Sequence, residues 1–245
     1  MKPASYIAAH LRTVLKNGGS APHTEEVQRF FKHEVKSRGW YTQEIRKLAR
    51  RFTKVIKNDA GVPYLIEVAD LLFRGEVLEE KVLAVLLLER ETADFGEDDF
   101  RLFEKWLNRI CSWADHDGLV HNLISPMLVG NPKRQERAFT WARSKDRWHR
   151  RAAAVSLIRA ARAKQSFAQI QRVTEALLDD EDDMVQKGLG WLLRETAKAD
   201  PKTTIAYLMK IRERAPRLVL RTACEKLIPK DRARILAKPT TRTVQ

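Results

Sequence analysis

Acidic residues are scarce beside basic ones in this chain. Its 245 residues include 32 Asp and Glu against 46 Lys and Arg, a formal net charge of +14. An excess of that size argues against a protein that meets only neutral small molecules and points to a polyanion, either nucleic acid or an anionic membrane surface. A merely soluble basic surface is the plain alternative. Cysteine is scarcer still. Cys111 and Cys224 have no CxxC or Cys/His ligand spacing, which excludes a disulfide scaffold, and both read as reduced core residues of a cytoplasmic protein. Long apolar runs are missing: Val82 to Leu88 is too short to cross a membrane. The first apolar residues are helically spaced and broken by His10 and Arg12, so no secretory leader is expected. No stretch alternates with period two beside a hairpin turn, which excludes a sheet protein. There is no GxSxG, Walker loop, GxGxxG, HExxH or helix-hairpin-helix motif. The histidines (10, 23, 33, 116, 121 and 149) are scattered. His116 and His121 are five residues apart, the wrong offset for one helical face, so neither a metal nor a cofactor is expected.

What remains is helix after helix. Ala4, Ile7, Ala8, Leu11, Val14 and Leu15 follow the i, i+3, i+4, i+7 pattern, and Gly18-Gly19 ends it. Thr24 can cap a second helix carrying Val27, Phe30, Phe31 and Val35. Lys36 to Thr42 reads as a loop in which Trp40-Tyr41 is either a plug on the core or a surface for DNA. Thr42 caps a helix that stops at Gly61 and restarts at Pro63. Val82 to Leu88 is apolar all round and should be buried on most sides. Asp98-Asp99 opens a helix leading to Trp113. Gly130-Asn131-Pro132, Asp146, Ser166, Asp179 to Asp183, Asp200-Pro201 and Pro216 each mark a helix boundary.

Three later segments repeat. Trp148-His149-Arg150-Arg151-Ala152, Met184-Val185-Gln186-Lys187-Gly188 and Leu218-Val219-Leu220-Arg221-Thr222 share a basic fourth position. It recurs after 36 residues, from Arg151 to Lys187, and after 34 more at Arg221. Two helices per such period predict an all-α fold, a curved solenoid of HEAT-like helical-pair repeats in which each pair buries its face on the next. We expect residues 1–238 to form one repeat domain, with a disordered tail at 239–245. Arg151, Lys187 and Arg221 then make a basic row on the concave side, or else three solvated helix starts. Twelve Lys or Arg stand against two acids between Asn131 and Arg172, which favours a binding face.

The joint Ser112-Trp113-Ala114-Asp115-His116-Asp117 stands out. With Asp117 in the first turn of a helix, its backbone N–H groups would hold the carboxylate ionised. Trp113, four residues earlier, would then put an indole face in the same space, a receptor for a cation. A capping Asp and a core Trp is the bland alternative. Gly188 and Gly190 each cost about 1 kcal/mol in a helix relative to Ala, which suggests close approach of something to the surface beside Trp191.

Trp113-x-x-x-Asp117, Trp148-x-x-Arg151-x-Ala153 and Gly190-Trp191-Leu192-Leu193-Arg194-Glu195, on a basic helical-repeat chain, resemble the HEAT-like-repeat alkylpurine DNA glycosylases of the AlkD type. The resemblance runs in order from about Ile45 to Leu227. It implies hydrolytic excision of N3- and N7-alkylated purines from double-stranded DNA, without extruding the base. It also implies an active-site carboxylate at Asp117, active-site tryptophans at Trp113 and Trp191, and a DNA-binding arginine at Arg151, with Arg150 beside it leaving a one-residue ambiguity; Lys187 and Arg221 of the basic row, and Trp148, are expected as further DNA contacts. The sequence departs from the family at Val35 to Tyr41, which stands where members have a Gly-Val-x-x-Pro turn, and at Ala114, where they often place a polar residue. A cytoplasmic monomer, nucleoid-associated if bacterial, is expected. Two other readings compete: a non-catalytic binder of damaged or distorted DNA, and a protein-interaction scaffold with a concave surface of apolar and mixed charge.

Overall fold

Five helix starts are each set by one side chain. Ser20 accepts from the His23 N–H at 3.4 Å, Asn131 from Arg134 at 3.1 Å, and Asp146 from Trp148 and His149 at 2.8 and 3.0 Å. Asp182 accepts from Met184 and Val185, and Asp200 from Thr203. Each bond satisfies a backbone donor that the first helical turn leaves open. The structure is a computed structural model and describes residues 2–237; the expected tail at 239–245 lies outside the described residues. Every regular element among the described residues is helical. The chain is an all-α protein of paired helices, grouped into two compact units, Met1–Met127 and Leu128–Gln245.

The first unit holds α1 (Ala4–Asn17), α2 (Ala21–Gln28), α3 (Thr42–Phe73), α4 (Leu78–Leu88), α5 (Glu97–Trp106), α6 (Trp113–Leu119) and the start of α7 (Ser125–Leu128). Helix α3 is broken at Gly61, whose φ of 78° and ψ of 178° lie outside the helical region; Pro63 follows in the first turn of the restart. Helix α3 packs on both α1 and α4, and α4 packs on α6. Leu65, Leu72, Phe73, Leu83, Leu87, Phe103 and Trp106 are fully buried, and Phe73 stacks on Trp106 with centroids 4.3 Å apart. Burial of α4 extends beyond the apolar run to Glu79, Glu80 and Lys81 at its head.

One of these buried charges, Glu79, accounts for the largest departure from the expected helices. Helix α2 starts after Ser20, with Pro22 in its first turn, rather than at Thr24. It ends at Gln28, so Phe30, Phe31 and Val35 lie in an irregular strap. Glu79 secures the far end of this strap. Its carboxylate accepts from Ser37 Oγ at 2.6 Å and from the N–H groups of Arg38, Gly39 and Trp40 at 2.9, 3.0 and 3.4 Å. Gly39 has a φ of 70°, and a Cβ there would lie 2.0 Å from the Ser20 carbonyl oxygen, so the close approach needs glycine. Trp40 is the plug: its Nε1 donates to the Leu15 carbonyl at 2.8 Å. Tyr41 faces outward and stacks on His23 at 3.8 Å. Cys111, expected in the core, is exposed; Cys224 is buried.

The second unit holds α8 (Pro132–Trp141), α9 (Arg147–Val155), α10 (Ile158–Arg162), α11 (Phe167–Leu177), α12 (Asp183–Ala199), α13 (Pro201–Ile211), α14 (Arg217–Ala223) and α15 (Pro229–Leu236). The single helix expected from Arg147 to Ala163 is interrupted between Val155 and Ile158. Helix α12 packs against α9 on one side and α14 on the other. Helix α8 packs on α9, and α11 and α13 pack on α12. Arg151, Lys187 and Arg221 are each the fifth residue of α9, α12 and α14, so the register read from sequence is the register of the packed helices.

Candidate functional site

The singled-out residues fall on both units. Trp113 and Asp117 belong to the first; Trp148, Arg150, Arg151, Lys187, Trp191 and Arg221 belong to the second.

Helix α6 begins at Trp113 itself, not near Asp117. Ser112 is its N-cap and Asp115 its first-turn acid. The Asp115 carboxylate accepts from the N–H groups of Cys111 and Ser112 at 2.9 and 2.7 Å and from Ser112 Oγ at 2.5 Å. Lys81 Nζ lies 3.7 Å from the same carboxylate. The capping function therefore belongs to Asp115, and Asp117, in the second turn, is not held by the helix N-terminus. Its Oδ1 lies 2.7 Å from Nδ1 of His116, whose side chain is 0 % exposed while that of Asp117 is 20 % exposed. Trp113 and Asp117, four residues apart, share one face of α6. Both are partly accessible.

Sequence reasoning missed the strap's contribution here. Phe31 stacks on Trp113 with centroids 5.3 Å apart and planes at 23°. His33 Nε2 lies 3.1 Å from the Cys111 carbonyl, fixing the strap beside the start of α6. Phe30, its neighbour, is 74 % exposed. The available signal was the pair Phe30-Phe31 close to a glycine-containing loop, but its apolar spacing was read as a helix. After α6 the chain makes a π-helical turn from Val120 to Ile124 and continues into α7. Such turns recur next to functional side chains.

In the second unit, adjacent arginines have different surroundings. Arg150 donates through Nε to Asp180 at 2.6 Å and through Nη1 to the carbonyls of Ser144 and Lys145 at 3.2 and 2.8 Å. Arg151 is only 5 % exposed, and its Nη1 donates to the Met184 carbonyl in the first turn of α12. Gly188 makes room for it: a Cβ there would sit 3.1 Å from Arg151 Cγ. Gly190 makes room for Thr222, whose Cβ would be 2.7 Å from an added Cβ. The two helical glycines therefore let α9 and α14 approach α12, and do not mark a surface left open for a ligand.

The rest of the Gly-Trp-Leu-Leu-Arg-Glu motif is internal bracing. Leu192 and Leu193 are fully buried. Arg194 reaches Glu225 at 2.7 Å. Glu195, itself buried, accepts from Arg162 and Lys198, both at 2.9 Å. Burial works to raise the Glu195 pKa, but the bonds from Lys198 and Arg162 outweigh it and the carboxyl titrates below its ordinary range. Within the motif Trp191 stays partly accessible. Trp148 is likewise partly accessible, with the Arg147 guanidinium 5.0 Å from its ring centroid. Lys187 is exposed and 3.2 Å from Asp183, and Arg221 is exposed. Among the described residues no His, Cys, Asp and Glu group is arranged to hold a metal ion, and no helix is long and apolar enough to cross a membrane.

The family whose model matches residues 11–227 is described as DNA alkylation repair enzyme. A solved structure, described as a predicted DNA alkylation repair enzyme from Enterococcus faecalis, is similar with a TM-score of 0.76 and 16 % sequence identity. The match covers 86 % of this chain and 97 % of that one, and at this identity it speaks for the fold. No curated protein matches the chain.

Proposed function

Because the chain belongs to the DNA alkylation repair enzyme family, we propose that it is a DNA glycosylase that hydrolyses the N-glycosidic bond of cationic N3- or N7-alkylated purines in duplex DNA, without extruding the base. The observation that carries this reading is the partly exposed Asp117 carboxylate, bonded to buried His116 and sharing a helix face with Trp113, while Asp115 does the capping.

Alkylation at N3 or N7 makes the purine a cation and a good leaving group, so its departure needs no general acid. As the bond to C1′ lengthens, positive charge moves onto the deoxyribose. Asp117 stabilises that developing oxocarbenium ion and orients the water that completes hydrolysis. Trp113, backed by Phe31, offers an aromatic face to the cation. His116 fixes the carboxylate rotamer. Arg151 holds a phosphate, which positions the DNA without reading its sequence, and Lys187, Arg221 and Trp148 extend that contact. The protein acts as a monomer in the cytoplasm and needs no metal.

Asp117→Asn tests this reading, because it keeps an oxygen for His116 and removes the charge. Loss of a carboxylate facing an oxocarbenium ion is expected to slow single-turnover release of N7-methylguanine by about two orders of magnitude, several kcal/mol of transition-state stabilisation. Duplex affinity should not fall, and circular dichroism should be unchanged. Release at the wild-type rate would make the non-catalytic DNA-binding reading the better one.

A further inference from the structure

Helix α3 carries six cations between its fifth and sixteenth residues: Arg46, Lys47, Arg50, Arg51, Lys54 and Lys57. Arg46, Arg50, Lys54 and Lys57 follow at intervals of four, four and three, so they form one stripe about 16 Å long. The stripe lines a groove of about 440 Å³ whose other wall is the end of α4 and the turn after it, from Leu86 to Arg90 and Glu91. The two ends of the stripe are neutralised: Arg46 pairs with Glu89 at 2.9 Å and Lys57 with Glu91 at 2.5 Å. Between them, Arg50, Lys54 and Arg90 have no carboxylate partner among the described residues. Three cations are thus presented from two elements across one concavity. Glu89 and Glu91, which could have neutralised them, are held at its ends.

We infer that this groove is a second phosphate-binding surface, belonging to the first unit alone, and that its occupant is the sugar-phosphate backbone of duplex DNA. The inference rests on the proposed action on DNA and adds a contact made by residues that take no part in the chemistry. A solvated helix face accounts for cations spread around a helix. It does not account for unpaired ones converging from α3 and the α4 turn. An anionic lipid surface fits less well. A helix lying on lipid needs a free apolar face, and the apolar residues Ile45, Ala49 and Ile56 of this stretch are buried in the core, leaving Val55 as its large exposed apolar side chain. A backbone lying in the groove would meet up to three cations, each displacing counterions from the duplex.

The test is a salt titration of lesion-free duplex binding, followed by fluorescence anisotropy, for the wild type and for Arg50→Ala/Lys54→Ala/Arg90→Ala. All three residues are exposed, so the fold should survive, and circular dichroism checks that it does. The expected result is a plot of log affinity against log salt that is shallower by about two to three units. An intact fold with an unchanged slope overturns the inference. So does an unchanged slope with lost binding to phosphatidylserine vesicles, which would assign the groove to a membrane. Release of N7-methylguanine by the wild type is scored separately. If the slope shifts but no base is released, the groove stands and the glycosylase reading falls. If base is released and the slope does not shift, the reverse holds.

Discussion

Arg150 and Arg151 are adjacent on α9, and the difference in what they touch makes their roles separable. Arg151→Ala should weaken binding to damaged and undamaged duplex by the same factor, since a phosphate contact carries no base information. It should also make the salt slope shallower by about one unit. Arg150→Ala should leave that slope nearly unchanged and instead lower stability by roughly 1–3 kcal/mol, because it removes the cation that pairs with the Asp180 carboxylate, which is 9 % exposed. Salt titration and urea unfolding of the two variants read the two effects independently. A slope change in Arg150→Ala of the size expected for Arg151→Ala would exchange their assignments. The same distinction applies to Asp115 and Asp117, two carboxylates two residues apart. One is engaged by backbone N–H groups at the head of α6, and the other is paired with His116 on a partly accessible face.

At the scale of elements, α12 is the strut on which α9 and α14 are laid, and its glycines set the spacing. Gly190→Ala gains helix propensity of about 1 kcal/mol. It also drives a methyl group to 2.7 Å from Thr222 Cβ, so a net loss of roughly 1–2 kcal/mol is expected. Pairing it with Thr222→Gly should recover part of that loss despite the second glycine's own cost, giving a coupling energy of the sign that contact requires. Urea unfolding of the four proteins in the cycle measures it; additive losses would mean that the helices do not meet there. These glycines also mark where sequence stopped being informative. Caps were legible because a cap is local: Asn131, Asp146, Asp200 and Gly130 each act within a few residues. The repeat register was legible because packed helices recur with the chain's own period. The partner of a helical glycine was not, since Thr222 is 32 residues away and only packing brings it near. Nor was the strap, because apolar spacing at Val27, Phe30 and Phe31 favoured a helix. What holds the chain in another shape is Glu79, about forty residues downstream. Trp113 and Asp117 were found as a pair, but their roles depended on where α6 begins, which Ser112 and Asp115 decide.

Several carboxylates, on different helices, sit in bonded positions that lower their pKa. Burial works to raise the Asp70 pKa, but hydrogen bonds from Arg109, Arg74 and Trp106 prevail and lower it. At Asp146 bonds from His149 and Trp148 likewise overcome burial, and Glu195 behaves in the same way. A folded pKa below the unfolded one gives stability that is present above the unfolded value and lost as pH falls through the folded one. The urea midpoint should therefore be flat on descending from neutrality and drop below about pH 4, where unfolded carboxyls begin to take up protons. The net charge of +14 grows in the same range and adds repulsion. A midpoint that stayed level to well below this range would contradict the depressed values.

The π turn from Val120 to Ile124 bears on how the chain can vary in length. A π turn spends one more residue than an α turn for the same advance. The surplus is confined there, between a segment that sets the angle of Trp113 and Asp117 and one that seats Met127 and Leu128 in buried positions. A single-residue insertion or loss during the divergence of such chains can thus be absorbed in that turn without rotating what lies on either side. Among relatives, a one-residue gap between positions 120 and 124 would record a change of helix type and leave the register of the flanking residues intact.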